Sequence, residues 1–257
     1  MSQNPYESAW DQYVQRFYTT HPTGVPGEEW GDERIWQFRF ETLFKPYGID
    51  LCRLACEIGA GSGKYTRKVL DSADARIICA DVSEKFLSVL RQEMPREIEA
   101  GRVIPVYLEA RRPDELLTHI INHGMSGNLD FFYSIDTMVH IDLQIALAYW
   151  ITAALTLKTG GKLAMTLADP TTERGSQKLF GDIKPYYPQQ GIPGLRFAWM
   201  SKDLVTNLLE KIGFRILRCD HPAPAGLKPR DMFVVAERVD LEKAESFRSY
   251  ICKEQSI

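Results

Sequence analysis

Apolar residues near the start of the chain recur at helical spacing. Trp10 and Val14 lie four residues apart, as do Trp36 and Phe40, and a loop rich in glycine and proline separates the two sets. This spacing predicts two amphipathic helices. We expect them to form a helical cap over residues 1–50, packed on the rest of the chain.

From Leu54 onward, short apolar runs alternate with segments of helical periodicity. Such alternation is typical of a parallel sheet with helices on both faces, so we expect a three-layer α/β fold. The predicted strands span residues 53–58, 76–80, 103–108, 129–134, 162–167, 214–219 and 232–236. The predicted helices of this region span residues 64–70, 84–94, 114–123, 143–157 and 202–212.

Three later features depart from this simple alternation. Residues 170–194 are rich in glycine, proline and tyrosine and show little periodicity, so we interpret the region 170–200 as a lid or substrate loop. Gly160 and Gly161 are expected to end the helix before the fifth strand. Residues 240–257 form a polar tail that we expect to be helical.

The overall charge is small. The chain of 257 residues has a formal net charge of −3, and 44% of its residues are hydrophobic, as in ordinary globular proteins. A protein that acts on RNA or DNA is expected to present a basic face or an added nucleic-acid-binding module. Neither is visible here, so we do not expect nucleic acid as a partner.

The cysteines and the N-terminus bear on metal content and cellular location. The five cysteines form no Cys-x-x-Cys pair, which disfavours a zinc site and indicates reduced thiols. The N-terminus lacks the basic start and apolar run of a secretory signal, and no apolar segment is long enough to cross a bilayer. We therefore expect a cytoplasmic protein with no membrane partner.

Residues 57–63 read Glu-Ile-Gly-Ala-Gly-Ser-Gly and lie where the first predicted strand passes into a helix. Glycine allows the chain to turn sharply and to approach a ligand without a Cβ in the way. A phosphate-binding P-loop requires glycine at the position of Ile58 and serine or threonine at that of Tyr65. A dinucleotide-binding Gly-x-Gly-x-x-Gly requires a third glycine where Lys64 stands, so both of these alternatives fit less well.

The remaining pattern, an acidic residue followed by three alternate glycines, resembles the first motif of the class I S-adenosylmethionine-dependent methyltransferases. In that family the loop passes beneath a cofactor that has no phosphate group, which would make Lys64 incidental. The resemblance implies S-adenosyl-L-methionine as cofactor and S-adenosyl-L-homocysteine as product. Glu57 would orient the loop or reach the methionine amine. The cofactor-binding residues implied in this loop are Glu57, Gly59, Ala60, Gly61 and Gly63.

Two further strand ends match cofactor motifs. The second predicted strand ends at Asp81, about twenty residues past the glycines, where such folds bind ribose hydroxyls, and Val82 adjoins it. Glu109 and Ala110 follow the third strand and resemble the family's third motif, which implies contact with the adenine. The sequence departs from the family at Arg111, where many relatives have a hydrophobic turn.

The same family closes its sheet with two strands, of which the last is antiparallel. The segments 214–219 and 232–236 fit that description. The resemblance covers residues 54–238 and implies a Rossmann-like, seven-stranded, mostly parallel sheet with a C-terminal antiparallel hairpin. It places the methyltransferase domain at residues 51–239.

The methyl acceptor is expected beyond the carboxyl ends of the fourth and fifth strands, because ligands of open α/β sheets bind there. His140 is the candidate general base, since a near-neutral imidazole accepts a hydroxyl proton; alternatively it packs at the next helix and shapes the pocket. Asp136 is a second candidate catalytic residue, and Ser134 a candidate cofactor contact. If Asp136 and Asp169 converged they would hold a divalent cation, although we expect no metal.

Residues 26–33 resemble a stretch that precedes the core in methyltransferases of glycan and secondary-metabolite pathways. Trp30 in this stretch, or Tyr13 in the first predicted helix, is a candidate cover for the cofactor, because an aromatic face attracts a sulfonium through a cation–π contact. The alternative role of either residue is packing of the N-terminal segment on the sheet.

The resemblance predicts an enzyme that transfers a methyl group to a hydroxyl, or to an amine, of a small molecule, a saccharide or a secondary metabolite. One alternative is a regulatory protein that binds S-adenosylmethionine without turnover. Another is an RNA-modifying methyltransferase, for which a basic face would be expected.

Overall fold

The predicted strands form one seven-stranded sheet in the computed structural model, which describes residues 5–109, 112–183 and 196–252. The strands are β1 (Leu54–Ile58), β2 (Arg76–Asp81), β3 (Val103–Tyr107), β4 (Leu129–Ser134), β5 (Leu157–Ala168), β6 (Phe214–Asp220) and β7 (Asp231–Arg238). Their order across the sheet is β3-β2-β1-β4-β5-β7-β6.

Strand direction confirms the predicted fold. Strand β1 pairs in parallel with β2 and β4, and the pairs β2–β3 and β4–β5 are also parallel. Strand β7 runs antiparallel to both β5 and β6. The chain order reverses between β1 and β4, and in open α/β sheets a crevice forms at the carboxyl ends of the strands at such a switch point.

Helices cover the sheet, and further helices precede its first strand. Those in the described ranges are α1 (Pro5–Thr20), α2 (Glu33–Arg39), α3 (Lys64–Ser72), α4 (Glu84–Glu93), α5 (Pro95–Glu99), α6 (Asp114–Asn122), α7 (Leu143–Thr156), α8 (Glu173–Gly181), α9 (Lys202–Lys211), α10 (Leu241–Ser246) and α11 (Arg248–Ile251). Helix α2 continues into a π-helical turn over Phe40–Phe44. No helix of these ranges combines the length and the apolar character that a bilayer crossing requires.

The core lies on both faces of the central strands, where parallel strands are expected to be apolar throughout. One face packs against α7, whose Trp150 and Tyr149 are almost completely buried. The opposite face packs against the N-terminal cap through Phe44, together with Phe131 and Tyr133 of β4. The carboxyl ends of β1, β2 and β4 are therefore held rigidly between two packed layers.

The prediction that Gly160 and Gly161 end a helix is wrong. Helix α7 ends at Thr156, and both glycines lie within β5. Gly160 has a φ of 80°, and a Cβ on Gly161 would lie 2.9 Å from the carbonyl oxygen of Leu129. Glycine is therefore required here by the close approach of β4 rather than by a helix end.

The segment interpreted as a lid loop contains a helix in its described part. The hydroxyl of Thr172 accepts a hydrogen bond from the backbone N–H of Gly175 (3.0 Å) and caps α8. Residues 184–195 of the same segment lie outside the described residues. The polar tail is helical over α10 and α11, and residues 253–257 lie outside the described residues.

Candidate functional site

The loop between β1 and α3 turns on three glycines with positive φ. Gly59, Gly61 and Gly63 have φ angles of 72°, 54° and 85°. A Cβ on Gly59 would lie 2.0 Å from Oγ1 of Thr137. Glycine is therefore required at position 59 both by the backbone conformation and by the close approach of the segment after β4.

Asp81 ends β2 and ties the glycine loop to the start of α4. Its Oδ2 accepts a hydrogen bond from the backbone N–H of Gly61 (2.8 Å), and its Oδ1 accepts one from the N–H of Ser83 (2.9 Å). Burial raises the pKa of Asp81 to about 6, against the opposing effect of these hydrogen bonds. The carboxyl is therefore mostly ionised at neutral pH and able to accept further hydrogen bonds.

Glu57, the acidic residue of the motif, is bound within the protein. Its Oε2 accepts hydrogen bonds from the hydroxyl of Thr66 (2.5 Å) and from that of Tyr133 (3.0 Å). Only 2% of the residue is exposed, and burial raises its pKa to about 8. These bonds hold α3 and β4 against β1.

A cavity of about 1120 Å³, counting space open to solvent, lies at the ends of β1, β2 and β4; we call it the glycine-loop cavity. The structure brings most of the predicted site residues to its wall. These are Trp30, Glu57, Gly59, Ala60, Gly61, Asp81, Val82, Asp136 and His140.

The remaining predicted residues lie elsewhere. Ser134 is fully buried, and its hydroxyl donates to the carbonyl oxygen of Ile58 (3.0 Å). Gly63 is the N-cap of α3 and does not line the cavity. Glu109 is exposed, and the preceding Leu108 lines the cavity in its place. Ala110 lies outside the described residues, so its contact with adenine stays a prediction.

Helix α1 and the loop after it cover the glycine-loop cavity with aromatic side chains. The ring centroids of Trp10 and Trp30 are 5.9 Å apart, and both residues line the cavity. The hydroxyl of Ser83 donates to Oδ1 of Asp11 (2.6 Å), which attaches α1 to the start of α4. The N-terminal segment is thus fixed directly to the elements that form the cavity.

A second cavity, of about 1460 Å³ counting space open to solvent, adjoins the first; we call it the arginine cavity. Three arginines, Arg39, Arg174 and Arg230, line it. The residues that line both cavities are Trp10, Trp30, Asp136 and His140. The two cavities therefore meet at the segment that follows β4.

His140 lies at this junction with a fixed ring orientation. Its ring packs edge-on against those of Trp10 and Phe197, at centroid distances of 5.1 and 5.0 Å. Its Nδ1 lies 3.0 Å from the carbonyl oxygen of Arg196. A carbonyl only accepts, so Nδ1 carries the hydrogen and Nε2 of the neutral ring has the lone pair. Burial lowers the pKa of His140 below 6.5, which keeps the ring neutral at neutral pH.

Asp136 occupies a strained backbone conformation between the two cavities. Its φ of 59° is the only positive value among the described residues other than glycine. Its backbone N–H donates to the hydroxyl of Thr166 (2.9 Å), and its Oδ2 accepts from the guanidinium of Arg39. The other oxygen, Oδ1, is buried and has no hydrogen-bond partner. A buried acceptor without a partner fits a ligand that brings a donor.

Asp169 and Asp136 form hydrogen bonds with different partners. Asp169 accepts hydrogen bonds from the N–H of Thr171 (2.8 Å) and from Nε2 of His221 (2.8 Å). Among the described residues, no group of three or more histidine, cysteine or acidic side chains is arranged to hold a metal ion.

Arg39 and Lys64 are among the site residues that the sequence did not predict. Arg39 lies on the same helical face as Trp36 and Phe40, and a charge within an apolar stripe was the signal for its buried ion pair. Lys64, interpreted as incidental, donates through Nζ to the carbonyl oxygen of Gly27 (3.0 Å). Its Nζ also lies 2.9 Å from the centroid of the Trp36 ring, and burial lowers its pKa to about 8.

No family model matches the chain. Over 70 residues it is 36% identical to an uncharacterized methyltransferase-like protein of Schizosaccharomyces pombe, and the match spans 27% of this chain and 27% of that protein. The chain thus matches only about a quarter of the length of this curated relative.

Solved structures that match nearly the whole chain include two methyltransferases. One is magnesium protoporphyrin IX methyltransferase from Synechocystis PCC 6803 with bound S-adenosylhomocysteine (TM-score 0.58, 17% identity, 91% of this chain and 96% of that chain). The other is a SAM-dependent methyltransferase from Anabaena variabilis (TM-score 0.63, 16% identity, 90% of this chain and 94% of that chain). The strand order and these likenesses show that the chain has the fold of the class I S-adenosylmethionine-dependent methyltransferases.

Proposed function

We propose that this chain is an S-adenosylmethionine-dependent methyltransferase that methylates a hydroxyl, or an amine, of a small molecule, a saccharide or another metabolite. The observation that carries the proposal is the junction of the glycine-loop cavity and the arginine cavity at His140. Methyl transfer requires a cofactor and an acceptor held side by side, with the acceptor atom in line with the methyl group. Two adjoining cavities that share one wall meet this requirement.

The glycine-loop cavity fits the cofactor chemically. Asp81 offers an ionised carboxylate of the kind that binds ribose hydroxyls. Oδ1 of Asp136 offers a buried acceptor that has no partner within the protein. Trp10 and Trp30 place aromatic rings on the wall, and such rings attract a positively charged sulfonium.

His140 supplies the acid–base chemistry in this mechanism. When bound, S-adenosylmethionine provides an electrophilic methyl group. His140 accepts the proton of an acceptor hydroxyl at Nε2, because its Nδ1 is committed to the carbonyl oxygen of Arg196. The surrounding rings of Trp10 and Phe197 hold the imidazole in place. An amine acceptor would lose its proton to the same nitrogen.

The related proteins are consistent with this chemistry. The Synechocystis structure contains S-adenosylhomocysteine, the product that the proposed reaction releases. The name of the Schizosaccharomyces pombe relative describes it as methyltransferase-like. Both support the proposed reaction type and leave the acceptor to be identified from this chain's own residues.

Isothermal titration with S-adenosylmethionine, S-adenosylhomocysteine and NADH tests the cofactor before any acceptor is known. We expect both sulfur ligands to bind and NADH not to bind. Binding of NADH alone would show that the cofactor assignment is wrong, as would failure of all three ligands to bind. Acceptor-dependent release of S-adenosylhomocysteine would then establish turnover, and its absence across a broad acceptor screen would favour a regulatory protein.

A further inference from the structure

The arginine cavity is basic although the chain as a whole is slightly acidic. Four cationic side chains line it, against the carboxylates of Asp136 and Asp231, whereas the whole chain has a formal net charge of −3. The cationic residues are Arg39, Arg174, Lys228 and Arg230. A local excess of positive charge in a concave, apolar-walled site attracts an anionic ligand.

Three of the four cations are neutralised by neighbours. Arg39 forms an ion pair with Asp136. Arg230 binds Asp231 with two parallel hydrogen bonds of 2.6 Å each. The Lys228 ammonium pairs with the carboxylate of Glu173, just outside the cavity wall. These pairs fix the shape of the cavity but leave little charge for a ligand.

Arg174 is the exception. It lies in the first turn of α8, is exposed, and contributes to the cavity wall. Its Nη1 donates to the carbonyl oxygen of Lys228 (3.4 Å), but in the described part of the chain no carboxylate lies within ion-pair distance of its guanidinium. A guanidinium presents several N–H donors in a planar fork that matches a carboxylate or a phosphate.

The rest of the cavity is suited to an apolar or ring-shaped body. Phe38, Phe197 and Phe233 line it. The guanidinium carbon of Arg230 lies 4.7 Å from the centroid of the Phe197 ring, which fixes that ring beside His140. The hydroxyl of Tyr13 is buried on the wall without a hydrogen-bond partner and fits a polar substituent.

We propose, on the basis of the proposed function, that the methyl acceptor carries one oxyanion, a carboxylate or a phosphate, which binds Arg174. The body of the acceptor packs against Phe197 and places its nucleophilic atom at His140. The acceptor is thus an acidic small molecule, such as a hydroxylated aromatic acid, a sugar acid or a sugar phosphate.

Binding of charge-matched acceptor pairs to the full chain loaded with S-adenosylhomocysteine tests this assignment. The pairs are 4-hydroxybenzoate with 4-hydroxybenzyl alcohol, glucuronate with glucose, and glucose 6-phosphate with glucose. We expect at least one anionic member to bind about tenfold or more tightly than its neutral partner, the range of a hydrogen bond to a charged group. The carboxylate and phosphate pairs separate the two kinds of oxyanion.

The variant Arg174→Gln tests whether the preference for the anion depends on this guanidinium. In this variant the anionic member of a pair is expected to bind at most about threefold more tightly than its neutral partner, because most of one charge-assisted contact is lost. Arg53→Gln, which removes an exposed arginine at the opposite end of the sheet, is expected to leave the preference unchanged. Equal binding of both members of every pair, no binding of any anionic member, or an unchanged preference in Arg174→Gln would overturn the proposal.

Titration of each variant with S-adenosylhomocysteine separates this inference from the proposed function. Loss of the anion preference with normal affinity for S-adenosylhomocysteine would assign the effect to the arginine cavity. Failure of the wild-type chain to bind S-adenosylhomocysteine would instead refute the proposed function. Normal binding of that ligand without any anion preference would refute only the acidic acceptor.

Discussion

Two buried carboxyl groups on adjacent strands, Glu57 and Asp81, differ in the partners that surround them. Glu57 accepts hydrogen bonds from two hydroxyl groups, and its pKa is raised to about 8, so it is mostly protonated at neutral pH. Asp81 accepts from two backbone N–H groups, and its pKa is raised only to about 6. Of these two carboxyl groups, Asp81 is therefore the one that is mostly charged at neutral pH, whereas Glu57 is mostly protonated and bound within the protein.

Replacement of Asp81 by alanine is expected to weaken S-adenosylmethionine binding about tenfold to hundredfold, because charge-assisted hydrogen bonds to the ligand and the support of the Gly61 N–H are both lost. The dissociation constant from isothermal titration measures the effect. Asp74→Ala removes an acid of an exposed ion pair at the opposite end of the sheet and should bind normally. Wild-type affinity in Asp81→Ala would remove this residue from the site.

His140→Ala is expected to slow methyl transfer about a hundredfold or more, the usual range for loss of a general base, with nearly unchanged affinity for S-adenosylmethionine. His140→Asn is the matched variant, since its amide still donates to the carbonyl oxygen of Arg196 but accepts no proton. Its turnover should be equally slow. Burial lowers the pKa of His140, so the wild-type rate at saturating S-adenosylmethionine should decline only below pH 6.5, and both variants should lose that decline. Normal turnover in either variant would leave His140 a packing residue.

Individual site residues could be predicted where nearby residues in the sequence mark their position. The glycines and Asp81 stand at strand ends that apolar runs mark clearly, and the structure brings Gly59, Gly61 and Asp81 to one cavity. The partner of Arg39 could not be found this way, because Asp136 is 97 residues further along the chain. Arg174 lies in a segment whose lack of periodicity concealed a helix.

At the scale of elements, the link between α2 and the end of β4 is central to the site. Arg39 is the last residue of α2, and it pairs with Asp136 just after β4. A second contact, of 3.8 Å, joins its Nη2 to Asp231 at the start of β7. One guanidinium thereby holds three elements together where the two cavities meet, and it fixes Asp136 in its left-handed conformation.

Arg39→Ala is expected to lower the free energy of unfolding by about 2 kcal/mol. Removal of one partner from a buried ion pair leaves the other charge unpaired, although partial exposure of Asp136 reduces the cost. Urea denaturation measures the change. The double variant Arg39→Ala with Asp136→Asn should recover part of the loss, because the unpaired charge is gone. As a control, Arg53→Ala breaks an exposed ion pair and should lower the free energy of unfolding by less than about 1 kcal/mol. An equally small loss in Arg39→Ala would contradict a stabilising role of the Arg39–Asp136 pair.

The elements themselves were largely predictable, because burial imposes a period on the sequence. All seven strands and the helices α3, α4, α6, α7 and α9 occur where apolar spacing predicts them. The start of β5 at Leu157 was not predictable, since glycines such as Gly160 and Gly161 usually end a helix, whereas here Gly161 allows the close approach of Leu129. The walls of the arginine cavity include residues of α1, α2, α8, the segment after β4 and the turn before β7, which only the tertiary fold brings together.

At the scale of the whole molecule, the buried Glu57 makes folding depend on pH. In the unfolded chain this carboxyl titrates near its ordinary pKa of 4.5, whereas in the folded chain its pKa is about 8 because burial disfavours the charge. Between these values the folded state holds a proton that the unfolded state has released. The stability contributed by protonated Glu57 is therefore complete below pH 4.5 and is lost as the pH rises towards 8. The pKa of Asp81 is raised from 3.8 to about 6, so protonated Asp81 likewise contributes stability that is lost as the pH rises from 3.8 to 6.

Glu57→Gln isolates the contribution of Glu57, because the amide oxygen can accept the hydrogen bonds of Thr66 and Tyr133 without titrating. The free energy of unfolding of the wild-type chain should fall relative to that of Glu57→Gln between pH 4.5 and 8, by on the order of 5 kcal/mol in total. Urea denaturation at several pH values measures the difference. Glu33→Gln, at an exposed carboxylate, should follow the wild-type curve. If the wild-type and Glu57→Gln curves ran parallel across this range, Glu57 would be ionised in the folded protein, and its negative charge would then be available at the glycine-loop cavity beside Asp81.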